Sequence, residues 1–235
     1  MSRANVERPG RREIVPDGSM NSHAAWPHVF RPGSADAPVL LMLHGTGGDE
    51  QQISGLAAAL DPTAAVLAPR GQAAENGMNR WFRRLSEGVF DTDDVVRRAD
   101  DLAGFLVWAR AHYELGERPM VAVGFSNGAN IALALALLRP EVVPRVIAFS
   151  GMHPLERATA DAGPDTTGAR VAASDLGASA LLLVNGAEDP MAPLSSVQRL
   201  VSVLEQRGAT VQQELRPGGH GIAETDVAAA VAWLA

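Results

Sequence analysis

One stretch near the middle of the chain limits the fold more than any other. Residues 121–125 (Val-Ala-Val-Gly-Phe) are apolar and predict a buried strand, and the Ala- and Leu-rich residues 129–138 predict a helix. Between them, residues 124–128 have the Gly-x-Ser-x-Gly spacing of a sharp strand-to-helix turn with a serine at its centre. Glycine suits both flanks because bulky side chains would clash where the strand and the helix approach. The sequence therefore predicts that the Ser126 hydroxyl projects above a sheet, beside the first amides of a helix.

Two interpretations of this serine are open at this point. In the first, Ser126 is a nucleophile and the neighbouring helix amides stabilise an oxyanion. In the second, it only caps the helix, since the motif also occurs by chance in chains rich in glycine and serine. A nucleophilic serine needs a base and an acid, so the rest of the chain has to supply both.

Strands and helices alternate along the chain. Apolar runs predict the strands, and apolar residues at helical spacing predict the helices. The predicted strands are 26–30, 39–44, 65–68, 121–125, 142–149, 180–184 and 210–215, and the predicted helices are 53–60, 95–107, 129–138, 194–206 and 225–234. Residues 72–92 and 155–178 are predicted to be irregular. This alternation is typical of an α/β fold with a mainly parallel central sheet, helices on both faces and no large lid domain.

A length of 235 residues predicts one domain. We assign residues 21–235 to this domain and expect residues 1–20, which are rich in arginine and in turn formers, to be a flexible extension. Ligands bind beyond the carboxyl ends of the strands of such a sheet. Side chains that directly follow predicted strands are therefore the candidates for chemistry.

Charge and composition exclude several classes of function. A net charge of −7 predicts no binding of nucleic acid and no attraction to an anionic membrane. The longest apolar run, residues 131–138, is too short to cross a bilayer, and residues 1–20 lack a secretory signal, so we expect no membrane insertion and a cytoplasmic location. The chain has no cysteine and no lysine, which excludes thiol nucleophiles and lysine Schiff bases. A small molecule is the expected partner, and a homodimer is left open.

The base and the acid are sought among residues that follow strands. Of the six histidines, His220 lies between two glycines after the last predicted strand and has the freedom to reach Ser126. His153 also follows a strand and is a rival, whereas His44 is expected to make a structural hydrogen bond. Asp189 follows the strand at residues 180–184, at the same edge of the sheet. The alternative interpretation makes Asp189 a turn residue and His220 a polar loop tip.

Two backbone amides are predicted to form an oxyanion hole. One belongs to Asn127, which follows the serine, and the other to the glycine-rich loop after the strand at residues 39–44. Thr46 is the first candidate in that loop and Gly47 the second.

The residues predicted for the substrate pocket are Gly47, Met78, Arg80, Trp81, Phe82, Met152 and Met191. Arg80 is available for an acidic substrate, while the two aromatic residues and Met78 would wall the pocket. The alternative is a solvated loop pinned by its two aromatic residues. The last two methionines flank the predicted edge of the site, and the alternative favoured for both is that they fill the core.

Taken together, the motifs resemble one enzyme family. They are residues 43–50 (Leu-His-Gly-Thr-Gly-Gly-Asp-Glu), 70–71 (Arg-Gly), 75–78 (Glu-Asn-Gly-Met), 80–84 (Arg-Trp-Phe-Arg-Arg), 88–91 (Gly-Val-Phe-Asp), 124–130 (Gly-Phe-Ser-Asn-Gly-Ala-Asn), 189–190 (Asp-Pro) and 218–220 (Gly-Gly-His). This set resembles the phospholipase/carboxylesterase family of small serine α/β-hydrolases, which includes acyl-protein thioesterases, and is most similar to a bacterial branch linked with hydroquinone and catechol metabolism. The Arg-rich N-terminus departs from that pattern.

The resemblance implies a Ser126–Asp189–His220 triad that hydrolyses carboxylic esters or thioesters without a cofactor. The order serine, aspartate, histidine along the chain is the one expected of an α/β-hydrolase. No histidine cluster has the spacing of metal ligands, so no metal is expected. The alternative function is a hydrolase-fold protein that binds a small molecule with little or no turnover.

Overall fold

The computed structural model describes residues 23–159 and 166–235, so the predicted extension at residues 1–20 lies outside the described residues. The strands of the described residues are β1 His28–Arg31, β2 Val39–Leu43, β3 Ala65–Pro69, β4 Ala73–Glu75, β5 Met78–Arg80, β6 Arg84–Ser86, β7 Val89–Phe90, β8 Met120–Phe125, β9 Arg145–Phe149, β10 Ala180–Gly186 and β11 Thr210–Arg216. The helices there are α1 Glu50–Ser54, α2 Ala57–Leu60, α3 Thr92–His112, α4 Asn127–Leu138, α5 Glu156–Thr159, α6 Thr167–Ala173, α7 Leu194–Gln206 and α8 Glu224–Leu234.

A central sheet organises the described residues, and it contains seven of these strands in the order β1-β3-β2-β8-β9-β10-β11. Strand β1 is antiparallel to β3, and the remaining pairs are parallel. Strand β8 lies in the middle, between β2 and β9. The residue that follows β8 therefore lies above the centre of the carboxyl edge of the sheet, where ligands bind in such folds.

Helices cover both faces of this sheet. Along β2, Leu41 and Leu43 belong to the core cluster that includes α3 and α4, whereas Leu40 and Met42 belong to the cluster that includes α2 and α8. This division follows from the alternation of side chains along a strand. Both clusters are buried, so β2 reads as a continuous apolar run. The predicted α/β architecture is confirmed, and no large lid domain is present in the described residues.

Two predictions of local structure were wrong near the N-terminal half of the domain. Residues 53–60 are not one helix but contain the end of α1 and the whole of α2, because Asp49 caps a helix that starts earlier, at Glu50, and a break follows at residues 55–56. Residues 72–92 contain two hairpins, β4–β5 and β6–β7. The first hairpin turns at Asn76 and Gly77, which have φ of 51° and 77°. An Asn-Gly pair with two positive φ values is typical of a tight hairpin turn.

Two further segments also differ from the prediction. The predicted loop at residues 155–178 contains α5 and α6, and α6 starts where the Thr166 hydroxyl accepts a hydrogen bond from Ala169 N. The strand predicted at residues 142–149 begins only at Arg145. The residue before it is Pro144, which has no N–H to donate to a neighbouring strand.

Candidate active site

The turn between β8 and α4 has the sharp geometry that its sequence predicts. Ser126 has φ 54° and ψ −115°, a strained conformation for a residue other than glycine. A Cβ atom at Gly124 would lie 2.4 Å from Gly128 O, and one at Gly128 would lie 2.0 Å from Leu43 O. Only glycine fits these positions, which confirms the steric reason for the motif. The Ser126 side chain makes no capping hydrogen bond to α4, so the interpretation of Ser126 as a mere helix cap is wrong.

The structure brings Ser126, His220 and Asp189 together. His220 Nε2 lies 2.8 Å from Ser126 Oγ, and His220 Nδ1 lies 2.7 Å from Asp189 Oδ2. An ionised aspartate accepts from Nδ1–H, which leaves Nε2 without a proton and able to accept from the serine hydroxyl. These three side chains are thus within proton-transfer distance of one another along one hydrogen-bonded chain.

The turn after β10 holds the Asp189 carboxylate in place. Asp189 is 5% exposed, and its Oδ1 accepts hydrogen bonds from Met191 N (2.8 Å) and Ala192 N (3.2 Å). Both carboxylate oxygens therefore accept hydrogen bonds: Oδ1 accepts from two backbone N–H groups and Oδ2 accepts from His220. This arrangement fixes the direction from which the carboxylate meets the imidazole ring.

The two other histidines considered from the sequence have other partners. His44 Nδ1 lies 2.7 Å from Gly45 O, and His44 Nε2 accepts from Gly71 N at 2.9 Å, which confirms a structural role. Burial lowers the pKa of His44. His153 is buried and its Nδ1 accepts from Leu155 N at 3.2 Å. Burial lowers the pKa of His153 to about 4, so its ring is neutral at physiological pH.

Two backbone amides near Ser126 are the candidates for an oxyanion hole. Asn127 is the first residue of α4, so its N–H has no acceptor within the helix. In the described residues, the N–H of Thr46 donates no hydrogen bond, whereas Gly47 N donates to Asn79 O at 2.9 Å. The engaged amide of Gly47 makes Thr46 the better candidate of the two. Thr46 and Asn127 line the same crevice as Ser126.

The crevice beside Ser126 borders a larger groove. The crevice has a volume of about 40 Å³, and Arg80 and Met191 contribute to its wall. It shares Met191 with a groove of about 580 Å³ to which Met152 and His153 contribute. Three of the predicted pocket residues, Arg80, Met152 and Met191, therefore lie along this path. Gly47 lines another open groove, which shares Thr46 with the crevice, and Met78 is 38% exposed beside Gly47.

The prediction that Trp81 and Phe82 wall the pocket was wrong. Trp81 is 2% exposed and Phe82 is fully buried, and both belong to the hydrophobic core. Trp81 Nε1 donates to His44 O at 2.9 Å, while the Phe82 ring packs edge-on against Phe90 at 5.0 Å between centroids. The two aromatic residues therefore pin the segment to the core, as in the alternative interpretation, and leave Arg80 to face the crevice.

The described fold agrees with comparisons with known proteins. The model of the phospholipase/carboxylesterase family matches residues 24–235. The chain belongs to the phospholipase/carboxylesterase family. It is 35% identical to the Bacillus subtilis protein MhqD over 206 residues, which cover 88% of this chain and 96% of that protein.

Solved structures of carboxylesterases resemble this phospholipase/carboxylesterase family member over nearly their whole length. The Bacillus cereus carboxylesterase is 33% identical, with a TM-score of 0.80, over 93% of this chain and 98% of the other. A carboxylesterase from Mesorhizobium loti is 29% identical, with a TM-score of 0.77, over 89% of this chain and 94% of the other. The predicted family is confirmed, and with it the class of an α/β-hydrolase that acts as an esterase.

Two residues that the sequence analysis missed hold the loop of His220. Arg216 Nη2 donates to the carbonyl oxygens of Gly219 (3.2 Å) and Gly221 (2.8 Å), and its Nε donates to Asp226 Oδ2 at 2.7 Å. Ser150 Oγ, which follows β9, donates to Gly221 O at 3.1 Å. Ser150 also has a positive φ of 51°, which is unusual for serine.

Among residues 23–159 and 166–235, no group of three or more histidine, aspartate or glutamate side chains is arranged to hold a metal ion. Every helix in the same ranges is too short or too polar to span a membrane.

Proposed function

We propose that this protein hydrolyses carboxylic esters of small molecules, and thioesters as well, through an acyl-enzyme intermediate on Ser126. The observation that carries the proposal is the chain of two hydrogen bonds from Asp189 Oδ2 to His220 Nδ1 and from His220 Nε2 to Ser126 Oγ, at 2.7 and 2.8 Å. Membership of the phospholipase/carboxylesterase family supports the same class of reaction.

Acylation begins when Ser126 Oγ attacks the carbonyl carbon of the substrate. His220 Nε2 takes the serine proton, and the ionised Asp189 stabilises the imidazolium through Nδ1–H. The tetrahedral intermediate then expels the alcohol or thiol, to which His220 returns the proton. An acyl group remains on the serine oxygen.

Deacylation repeats these steps with water as the nucleophile. His220 takes a proton from the water as the oxygen attacks the acyl carbon, and it returns a proton to Ser126 when the carboxylic acid leaves. In both halves of the reaction the negative oxygen is bound by the N–H groups of Thr46 and Asn127. Loss of one such donor typically slows turnover about 10²- to 10³-fold.

The first experiment measures hydrolysis of p-nitrophenyl acetate by the wild type and by the variants Ser126→Ala and His220→Ala. We expect kcat of each variant to fall at least about 10³-fold. Without the serine hydroxyl or the imidazole, only substrate binding and the oxyanion hole still contribute to catalysis. Ser202→Ala and His112→Ala are matched controls, since both residues are exposed on helices outside the site, and they should keep full activity. Circular dichroism checks that all four variants keep the fold. Undiminished turnover in either site variant would refute the triad.

The second experiment separates an enzyme from a protein that only binds its ligand. A fluorophosphonate probe modifies a serine only when a base activates it, so we expect covalent labelling of the wild type at Ser126 and none of Ser126→Ala. A panel of acetyl, butyryl and octanoyl esters with their thioesters then ranks the substrates by acyl length. A wild type that is neither labelled nor active on any member of the panel would favour the binding protein.

A further inference from the structure

The crevice beside Ser126 lies on the acyl side of the proposed reaction. His220 has to reach the leaving alcohol, because it returns a proton to it. In the described residues, the wall of the crevice includes Ser126, Asn127 and Arg80, but His220 does not contribute to it. A group in this crevice is therefore attached to the carbonyl carbon, on the side away from the leaving group. The volume of about 40 Å³ suits the end of a short acyl chain.

Arg80 is a buried cation with one donor group left over. Its side chain is 5% exposed, Nε donates to Phe82 O at 3.2 Å and Nη1 donates to Thr46 Oγ1 at 3.0 Å. In the described residues, Nη2 donates no hydrogen bond. A guanidinium presents its N–H groups in a plane with fixed directions, which suits a carboxylate.

Asn127, which also lines this crevice, has a second unused donor. Its Oδ1 accepts from Trp81 N at 2.7 Å, which fixes which end of the amide is oxygen. The other end, Nδ2, is buried and has no partner among the described residues. Buried polar groups are normally hydrogen-bonded, so an unpaired N–H₂ beside a nucleophile points to an acceptor on the ligand.

The charged groups around the crevice are two guanidinium groups, of Arg80 and Arg84, and two carboxylates, of Glu75 and Glu87. Glu75 is shared by two guanidinium groups, since Oε2 lies 3.2 Å from Arg80 Nε and Oε1 accepts from Arg84 Nε at 2.9 Å. Glu87 lies 3.9 Å from Arg84 Nη1, but its side chain is 74% exposed and its charge is screened by water. Burial lowers the pKa of Arg80, and the nearby Glu75 opposes this shift.

We propose that this crevice binds acyl groups that end in a carboxylate, so that the preferred substrates are half-esters of short dicarboxylic acids. This inference rests on the proposed esterase function and names its substrate class. The substrate carboxylate accepts hydrogen bonds from Arg80 Nη2 and Asn127 Nδ2, and the ester carbonyl lies between Ser126 Oγ and the two oxyanion amides. Arg80 is then a residue that determines specificity.

The test compares substrates that differ only in the charged end of the acyl chain. Monoethyl succinate is paired with ethyl 4-methylpentanoate, in which an isopropyl group replaces the carboxylate, and monoethyl glutarate is paired with ethyl 5-methylhexanoate. Ethyl levulinate supplies a neutral acceptor of similar size. Released ethanol is measured with a coupled alcohol dehydrogenase. We expect the wild type to favour at least one half-ester over its isostere by about 10- to 100-fold in kcat/KM, the effect typical of a hydrogen-bonded charge.

Three variants assign the preference to Arg80. Arg80→Met should reduce the ratio of half-ester to isostere towards one, and Arg80→Lys should keep part of it, because lysine keeps the charge without the planar donors. Arg83→Met is the matched control, since Arg83 belongs to the same segment, is 64% exposed and pairs with Asp91. It should keep the wild-type ratio. The ratio of half-ester to isostere hydrolysis is measured on the wild type alone, so the test does not depend on whether Arg80→Met folds.

Several outcomes would overturn the inference. A wild type that hydrolyses the isosteres as well as the half-esters has no carboxylate site, and equal rates on levulinate and succinate esters would show that charge is not recognised. If Arg80→Met lowered kcat/KM equally for all esters, the role of Arg80 would be only to hold Thr46 through its hydrogen bond. Failure of the esterase function itself is distinguishable, because then none of these esters is hydrolysed and the fluorophosphonate probe does not label Ser126.

Discussion

The side-chain oxygen of Asn127 accepts a hydrogen bond from the backbone N–H of Trp81 over 2.7 Å. This bond links the residue after the proposed nucleophile to the segment that carries Arg80, although the two are far apart in sequence. The elbow and the wall of the crevice are therefore coupled through one buried amide. A change on either side of this bond is expected to affect stability and substrate binding together.

Asn127→Ala tests this coupling. The variant leaves Trp81 N buried without an acceptor, so we expect the free energy of unfolding to fall by about 1–3 kcal/mol. Because the backbone N–H of residue 127 remains, kcat on p-nitrophenyl acetate should fall far less than in Ser126→Ala. Urea denaturation and steady-state kinetics measure the two effects. Gln206→Ala removes an exposed amide at the end of α7 and should change neither quantity. A stability of Asn127→Ala equal to that of the wild type would refute the coupling.

Arg216→Met tests the support of the His220 loop. Arg216 donates to two carbonyl groups of this loop and pairs with Asp226, which is 4% exposed. We expect kcat to fall about 10- to 100-fold, because small displacements of a reacting group are costly, while KM changes little. The variant should also unfold at lower urea concentration, since a buried carboxylate loses its partner. Arg216→Lys should recover part of both losses. A KM effect with unchanged kcat would contradict a positioning role.

The buried His153 predicts a dependence of stability on pH. Its folded pKa of about 4 lies below the value near 6.5 of an unfolded chain, so the unfolded state binds more protons between these values. Stability should therefore be complete above pH 6.5 and decline as the pH falls towards 4, by an amount of the order of 3 kcal/mol. Burial is the main cause; nearby Glu156 opposes the shift and Arg199 adds to it.

Urea denaturation of His153→Gln between pH 7 and pH 4 measures this contribution. The variant should lose less stability across the range than the wild type, although some slope remains because burial also lowers the pKa of His44. His112→Gln, an exposed histidine on α3, should keep the wild-type slope. Identical slopes for wild type and His153→Gln would show that His153 is not neutralised by burial.

The elbow and the positions of the triad residues could be predicted from the sequence, for one steric and one topological reason. The Gly-x-Ser-x-Gly spacing indicates a close approach of β8 and α4. At Gly124 and Gly128 this approach leaves no room for a Cβ atom. Parallel strands end at a common edge, so residues that follow them are brought near one another. Asp189 and His220 were selected by that rule, and the structure places both within hydrogen-bond distance of their neighbours.

Other parts of the site could not be predicted because short-range patterns do not encode them. Trp81 and Phe82 suit a pocket wall and a core equally well, and strands of three residues, such as β4 and β5, are too short to show alternation. The Asn76–Gly77 pair was an available signal of the first hairpin. The role of Arg216 depends on the conformation of the loop that follows it. No local sequence pattern predicts that conformation.

The turn that fixes the Asp189 carboxylate also contributes Met191 to the crevice and the groove. The hydrogen bond to the carboxylate comes from the main chain of residue 191, so its side chain is not needed to hold the acid. Substitution at this position, proline excepted, should therefore reshape the binding surface while proton transfer proceeds as before. Residue 191 is thus a position at which natural or engineered substitutions can change the range of substrates without loss of the catalytic reaction.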